Sequence, residues 1–201
     1  MKKLLVFLTF ALMALPAGAQ QRAAVTELKP ALAVESDGKI EVLEFFWYGC
    51  IHCYNLEPHI ENWLKKLPPD TQFRRVPAVF NQRWALDAAI FYTLEALGVL
   101  DKLHRPLFDA IHKGNLRTDQ QDAFSAWLQK NGVDPKKFMD TMKSFGVQSK
   151  TKRATQLTAA YKIDGTPAMA VHGRYMVSAD IPGMLNTVDQ LVAEVRKNGK
   201  K

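Results

Sequence analysis

Apolar and polar positions alternate in register with three kinds of segment along the chain. Ile40–Trp47 (IEVLEFFW) is a short apolar run with aromatic and branched residues, preceded by the turn pair Asp37-Gly38, and it predicts a buried strand. Thr71–Val79 (TQFRRVPAV) predicts a second strand, and Pro77 places it at an edge or near a termination. Between them a helix is expected from about Cys50 to Leu67, kinked at Pro58 and stopped by Pro68-Pro69.

The pattern then turns helical for some eighty residues. Arg83–Leu97 is closed by Gly98. Asp101–Lys113 precedes Gly114 and is interrupted by Pro106, which is expected to split or kink it. Thr118 and Gln121 have capping-box spacing before a helix that runs to about Lys130. Asp134-Pro135 supplies an N-cap and a first-turn proline for a helix to about Phe145. A further helix is expected from about Ser149 to Tyr161. Strands return at Ala168–Val171 and Arg174–Val177, joined by His172-Gly173 as a compact hairpin turn, and an amphipathic helix from Met184 to Lys197 closes the chain. The order is strand, helix, strand, helices, hairpin, helix, which describes a mixed α/β domain interrupted by a helical insertion.

The N-terminus reads differently. Lys2 and Lys3 precede the apolar stretch Leu4–Leu15, then Pro16 and the small residues Ala17-Gly18-Ala19. This is the grammar of a secretory signal peptide over residues 1–19, and its apolar stretch is too short to span a bilayer. Cleavage before Gln20 removes two lysines and no acid, so the net charge of +7 becomes +5. The basic clusters Lys65-Lys66, Arg74-Arg75, Lys136-Lys137, Lys150-Lys152-Arg153 and Lys200-Lys201 join no aromatic stacking array, so they are expected to be solvated surface and no nucleic acid is expected as a partner. At 201 residues, 47% apolar and 23% charged, the chain can bury a full core without staples, and two cysteines are too few for a disulfide scaffold.

Export changes how those two cysteines are read, because an oxidising compartment awaits them. Cys50-Ile51-His52-Cys53 lies where the first strand hands over to its helix. Unpaired N–H groups and the positive end of the helix dipole favour a thiolate there. His52, between the cysteines, can donate a hydrogen bond or carry positive charge. A thiolate-stabilising site stabilises the dithiol and makes the disulfide a good oxidant. Cys50 is expected to be the exposed nucleophile and Cys53 the buried resolving thiol.

Other readings of the pair are weaker. A structural bridge closing four residues would add only about 2 kcal/mol. A zinc site on Cys50, His52, Cys53 and His59 would crowd its ligands onto one helix. Haem attachment requires a histidine where Tyr54 stands.

Two further signals support redox chemistry. Thr166-Pro167 opens a strand with a proline that cannot donate to a ladder; a cis bond there would expose the Thr166 backbone to an extended peptide. Glu44 lies six residues before Cys50 among apolar neighbours, where burial would raise its pKa and let it carry the proton of Cys53. Arg74 and Arg75 on the neighbouring strand are its candidate partners. Trp47, Tyr48 and Tyr54 are expected either as an apolar rim or as core, with Trp47 in the core, and His59, His104, His112 and His172 are assigned no chemistry.

Glu44-Phe45-Phe46, Cys50-Ile51-His52-Cys53-Tyr54 and Gly165-Thr166-Pro167-Ala168, with helices between, resemble the DsbA family of periplasmic thiol:disulfide interchange proteins over about residues 25–198. The resemblance implies a thioredoxin fold, residues 20–81 and 149–201, interrupted by an inserted all-helical domain, residues 82–148. It implies a periplasmic dithiol oxidase that is a monomer and needs no cofactor beyond its Cys50–Cys53 disulfide. Its clients would be reduced, unfolded exported proteins, and a DsbB-like membrane quinone reductase would reoxidise it. The nucleophile maps to Cys50, the resolving thiol to Cys53, the cis-proline to Pro167 and the buried acid to Glu44. Ile51 stands where proline is common in the family, and Thr166 where valine is common, so both are expected to tune potential and substrate preference. The rival readings are a disulfide reductase or isomerase of the same superfamily and a non-enzymatic periplasmic chaperone.

Overall fold

The computed structural model describes residues 24–178 and 181–199; the expected signal segment lies outside the described residues. A five-stranded sheet has the order β1-β5-β4-β2-β3, from β1 (Ala24–Glu27), β2 (Ile40–Phe46), β3 (Thr71–Pro77), β4 (Ala168–Val171) and β5 (Tyr175–Ser178). β2 and β3 run parallel, joined by the crossover helix α1 (Ile51–Leu64), and the other pairings are antiparallel. Five of the seven residues of β2 are apolar, and all seven, Glu41 and Glu44 included, are buried because both faces of the strand are covered. β3 is an edge strand, which is where Pro77 can be accommodated. β1 carried no clear periodic signal; its four exposed residues pair with β5, and that pairing rather than local preference makes it a strand.

The two faces bury different partners. Val42 of β2, Met169 and Val171 of β4 and Val177 of β5 pack against Leu56 and Ile60 of α1 and against Met184, Val188 and Leu191 of the closing helix α7 (Ile181–Asn198). Leu43, Phe45 and Ala170 point the other way, into a core shared with α2 (Gln82–Ala96), α3 (Leu100–His112), α4 (Gln121–Lys130), α5 (Pro135–Met142) and α6 (Phe145–Ala160). The period-two alternation of the strands thus decides which half of the molecule each side chain joins.

Several local expectations need correction. Thr118 does not cap α4: its Oγ1 donates to the buried Asp87 carboxylate at 2.6 Å, a stronger acceptor, and α4 starts at Gln121 without a side-chain cap. α6 begins four residues before Ser149, because Ser144 accepts from the Val147 N–H and starts the helix there; the expected domain join at 148/149 falls within this helix. α3 remains one helix through Pro106. Arg74 and Arg75 are not solvated surface: both are drawn into ion pairs with buried glutamates. Asp134 does cap α5, and His172-Gly173 turns the β4–β5 hairpin with both residues at positive φ, 51° and 65°.

Candidate functional site

β2 ends at Phe46 and the chain crosses to α1 through Trp47-Tyr48-Gly49-Cys50. Cys50 is the N-cap of α1 rather than a residue of its first turn, and its sulfur takes the place usually held by a serine or aspartate oxygen. The Cys53 N–H donates to it at 3.3 Å, and the Cys50 thiol donates to the Thr166 carbonyl at 3.3 Å. The chain therefore brings the C-x-x-C turn and the Thr166-Pro167 loop together across 116 residues, and the Thr166–Pro167 peptide bond is cis. Both cysteines are free thiols; Cys50 is half-buried and Cys53 fully buried.

This asymmetry sets their acidities apart. A hydrogen bond from the Cys53 thiol, opposed by partial burial and helped by the Thr166 side chain and the N–H groups of Cys53 and His52, lowers the Cys50 pKa to about 5. The Thr166 carbonyl favours the thiol, but the donors outnumber it. Burial, then the Cys50 sulfur and the Glu44 carboxyl, push the Cys53 thiol far up. The anion is thus held by helix-end donors and its partner thiol. The His52 imidazole, expected to contribute directly, is exposed and makes no hydrogen bond with another described residue; its backbone N–H contributes instead.

Beneath the pair lie two buried glutamates and one arginine. Glu44 on β2 faces Arg75 on β3 in the parallel register, and Arg75 Nε is 3.2 Å from Glu44 Oε2. The guanidinium hydrogens nevertheless go to Glu57 of α1, in a forked pair at 3.3 and 2.8 Å. Among the described residues neither Glu44 oxygen has a hydrogen-bond partner. Burial and the nearby Glu57 push the Glu44 carboxyl up to about 8, Arg75 only partly offsetting them. Burial also disfavours the Glu57 carboxylate, but His104 and Arg75 outweigh it and hold the group below its ordinary range. Of the two candidate partners of Glu44, Arg75 is the one in place; Arg74 binds Glu41 at 2.8 Å and Glu35 at 3.0 Å.

The aromatic residues divide between the two roles expected of them. Tyr48 is core, only 1% exposed. Trp47 is half-buried, stacks on Trp84 with centroids 4.2 Å apart, and donates its indole N–H to Asp87 at 2.7 Å. Tyr54 is half-buried, donates to Asp109 at 2.8 Å and stacks on His112. Ile51, 48% exposed, projects beside the nucleophile. Glu57, His104, His112 and Asp87 went unassigned in the sequence. Glu57 had a readable signal: it lies four residues after Cys53, on the helix stripe of Cys53, Leu56 and Ile60.

A helix-capping thiolate, a buried resolving thiol and a cis-proline loop on a five-stranded sheet define a dithiol oxidoreductase of the thioredoxin class. Residues 41–189 match the DSBA-like thioredoxin domain. The thiol:disulfide interchange protein DsbA of Azotobacter vinelandii is 41% identical over 174 residues, which cover 85% of this chain and 81% of the relative. Its counterpart in Bordetella parapertussis is 43% identical over 185 residues, 90% of this chain and 87% of the relative. The crystal structure of Pseudomonas aeruginosa DsbA superimposes with a TM-score of 0.83 at 38% identity, covering 88% of this chain and 94% of that one. The chain belongs to the DsbA family and is a thiol:disulfide oxidoreductase.

Proposed function

We propose that the protein works as a monomeric oxidase of newly exported proteins in the periplasm, giving up its Cys50–Cys53 disulfide. The observation that carries this direction is the pair of opposed acidities: Cys50 is lowered to about 5 while Cys53 is raised. An anion stabilised in the dithiol form makes the reduced protein the low-energy product, so transfer to an ordinary protein thiol pair runs downhill.

A substrate thiolate attacks Cys50 Sγ; the Cys50–Cys53 bond breaks, and the electron pair leaves on Cys53. Cys53 cannot remain an anion in its buried position, and Glu44, whose carboxyl holds a proton up to about pH 8, supplies one. The second substrate thiolate attacks the substrate sulfur of the mixed disulfide and expels the Cys50 thiolate. Two substrate thiols become one disulfide, and the enzyme keeps two electrons and the proton on Cys53. A DsbB-like membrane quinone reductase would remove those electrons, with no cofactor needed on this chain. Thr166, Pro167 and Ile51 form the surface beside Cys50 on which an extended client would lie, Thr166 through its backbone and Ile51 through its exposed side chain.

The test is the equilibrium of the Cys50–Cys53 pair with glutathione, together with thiolate absorbance against pH. A strongly oxidising pair with a Cys50 midpoint near 5 is expected. A midpoint near that of a free thiol, about 8.5, would assign the protein to the reductases instead.

A further inference from the structure

His104 takes no part in the sulfur exchange, yet it is buried against the acid pair beneath it. Its Nδ1 is 2.9 Å from the Tyr48 hydroxyl and its Nε2 is 3.2 Å from Glu57 Oε1. One tautomer satisfies both partners. A carboxylate only accepts, so Nε2 carries the hydrogen, and Nδ1 accepts from Tyr48. The ring is packed edge-on by Phe46, Phe91 and Phe108, surroundings that disfavour an imidazolium.

Glu57 consequently receives three donors: His104 Nε2–H and two N–H groups of Arg75. Glu44 receives none, although the same guanidinium is 3.2 Å away. Two buried carboxylates around one cation do not both ionise readily, and the one with more donors takes the charge. Of the two, Glu44 is the carboxyl whose charge is felt at Cys53. Also facing this cluster and the cavity beside it are Tyr48 and Cys50 before α1, Glu61 from α1, Arg74 from β3, Glu95 from α2, Asp101 and Arg105 from α3, Lys150 and Arg153 from α6, and Glu35 from the loop before β2. A cavity of about 470 Å³ opens onto Glu57, Arg75 and His104 but onto neither cysteine, so the cluster can exchange protons with water away from Cys50.

We propose that His104 is a positioning residue of the inserted helices that assigns the proton of the acid pair: by donating to Glu57 it keeps the negative charge there and leaves the proton on Glu44, where the resolving sulfur needs it. This deepens the reading of Glu44 given above and rests on it.

The experiment is a carbon-13 carboxyl NMR titration of the oxidised protein, in which no thiol titrates. Wild type is expected to show Glu57 ionised from pH 6 upward and Glu44 titrating above the ordinary carboxylate range, below the value of about 8 it has in the dithiol form because the disulfide removes the Cys50 anion. His104→Phe removes the donor and keeps the ring, so the Glu44 midpoint should fall by about one pH unit or more as Glu57 takes up the proton. His104→Gln, which can both donate to Glu57 and accept from Tyr48, should restore the wild-type order. Unchanged midpoints in His104→Phe, or the same fall in His104→Gln, would overturn the proposal. Nitrogen-15 spectra of wild-type His104 test it without any variant: the neutral, Nε2-protonated ring is expected from pH 6 to 8, and an imidazolium or the Nδ1–H form there would overturn it. Glu44→Gln separates the two readings. If it resolves mixed disulfides at the wild-type rate, the catalytic part assigned to Glu44 fails, while the placement of the proton by His104 still stands or falls on the titrations.

Discussion

The N–H of Cys53 points at the sulfur of Cys50 across 3.3 Å, so the resolving residue stabilises the thiolate that leaves when a second substrate thiol resolves the mixed disulfide. The same three-residue spacing that closes the disulfide thus places the N3 donor of the helix on the cap sulfur, and one turn of α1 does both tasks.

That geometry fixes a pH dependence. Cys50 ionises at about 5 in the folded dithiol, against 9.0 for an unperturbed thiol. A depressed acid stabilises the fold fully above the unfolded value and loses that contribution as pH falls through the folded one. The oxidised protein has no such group. Hence the melting temperature of the reduced form minus that of the oxidised form should grow from pH 5 towards pH 9 and be smallest below 5. Paired calorimetric scans of the two forms between pH 4 and 8.5 test this; a difference that stays flat contradicts a thiolate at Cys50.

Thr166 adjoins the nucleophile, and its side chain contributes to holding the anion. Thr166→Val keeps the shape and removes the hydroxyl, so the Cys50 midpoint should rise and the disulfide become a weaker oxidant. Absorbance of the thiolate against pH, with the glutathione equilibrium of the same variant, reads both. A midpoint that falls, or a potential that moves without the midpoint, would separate the two quantities and count against the linkage.

Glu44 destabilises the fold it serves. In the dithiol form its carboxyl is pushed up to about 8 from an ordinary 4.5, and in the oxidised form, where the Cys50 anion is gone, burial and Glu57 still hold it raised. Between those values the unfolded chain is ionised there and the native one is not, so stability falls as pH rises across that window. Glu44→Gln removes the penalty, and at pH 7 the oxidised protein should gain roughly 1–3 kcal/mol, less whatever the loss of the Arg75 attraction costs. The gain should vanish near pH 4. Urea melts of the oxidised variant at the two pH values decide the matter, and equal effects at both would show that the carboxyl is not held protonated.

The sequence made the redox pair, the proline loop and four of the five strands readable because each is a local signature: a motif at a strand–helix junction, a proline at a strand start, short apolar runs bounded by turn residues. Glu44 was visible as a charge in an apolar run. Arg75 on the neighbouring strand was one of two candidate partners; the rest of its surroundings were not visible, since Glu57 and His104 lie on α1 and α3, and the crossover connection and the inserted helices bring them to Arg75. Thr118 misled because its spacing to Gln121 suits a cap, while the competing acceptor, Asp87, is 31 residues away in the chain. β1 was illegible because four exposed residues acquire strand geometry only from β5. Local chemistry was thus legible, and long-range competition for a donor or acceptor was not.

Asp87 shows how much depends on such competition. One carboxylate on α2 accepts from the Trp47 indole at 2.7 Å, the Thr118 hydroxyl at 2.6 Å and Arg83 at 2.9 Å. Asp87→Ala strips three buried or half-buried donors of their acceptor and should cost about 2–4 kcal/mol. Because Trp47 precedes Cys50 by three residues, the loss should also blur the loop that carries the nucleophile. Denaturant melts with tryptophan fluorescence and client oxidation rates read the two effects, and a variant as stable as wild type would mean that the carboxylate merely fills space.

Gly49 tests the same loop from its backbone. A Cβ built there would collide with the six-membered ring of Trp47, the third-nearest atom lying at only 2.7 Å. The backbone cannot yield easily, because the Tyr48 carbonyl accepts from His112 at 2.8 Å and the Cys50 N–H is bound to the Trp47 carbonyl at 3.0 Å. The indole must therefore move, which breaks its stack on Trp84 and its bond to Asp87 together. Overpacking of this kind costs about 1–3 kcal/mol, and Gly49→Ala should lose that much along with the near-ultraviolet signal of the stacked indoles. Slower client oxidation should accompany it, since the displaced indole presses on the loop that leads to Cys50 three residues further on. Gly49→Ala combined with Trp47→Leu removes the clash at its source. If the double variant recovers oxidation rate but not the indole signal, the collision explains the defect; if it recovers neither, the glycine matters for another reason and the account of the loop is wrong.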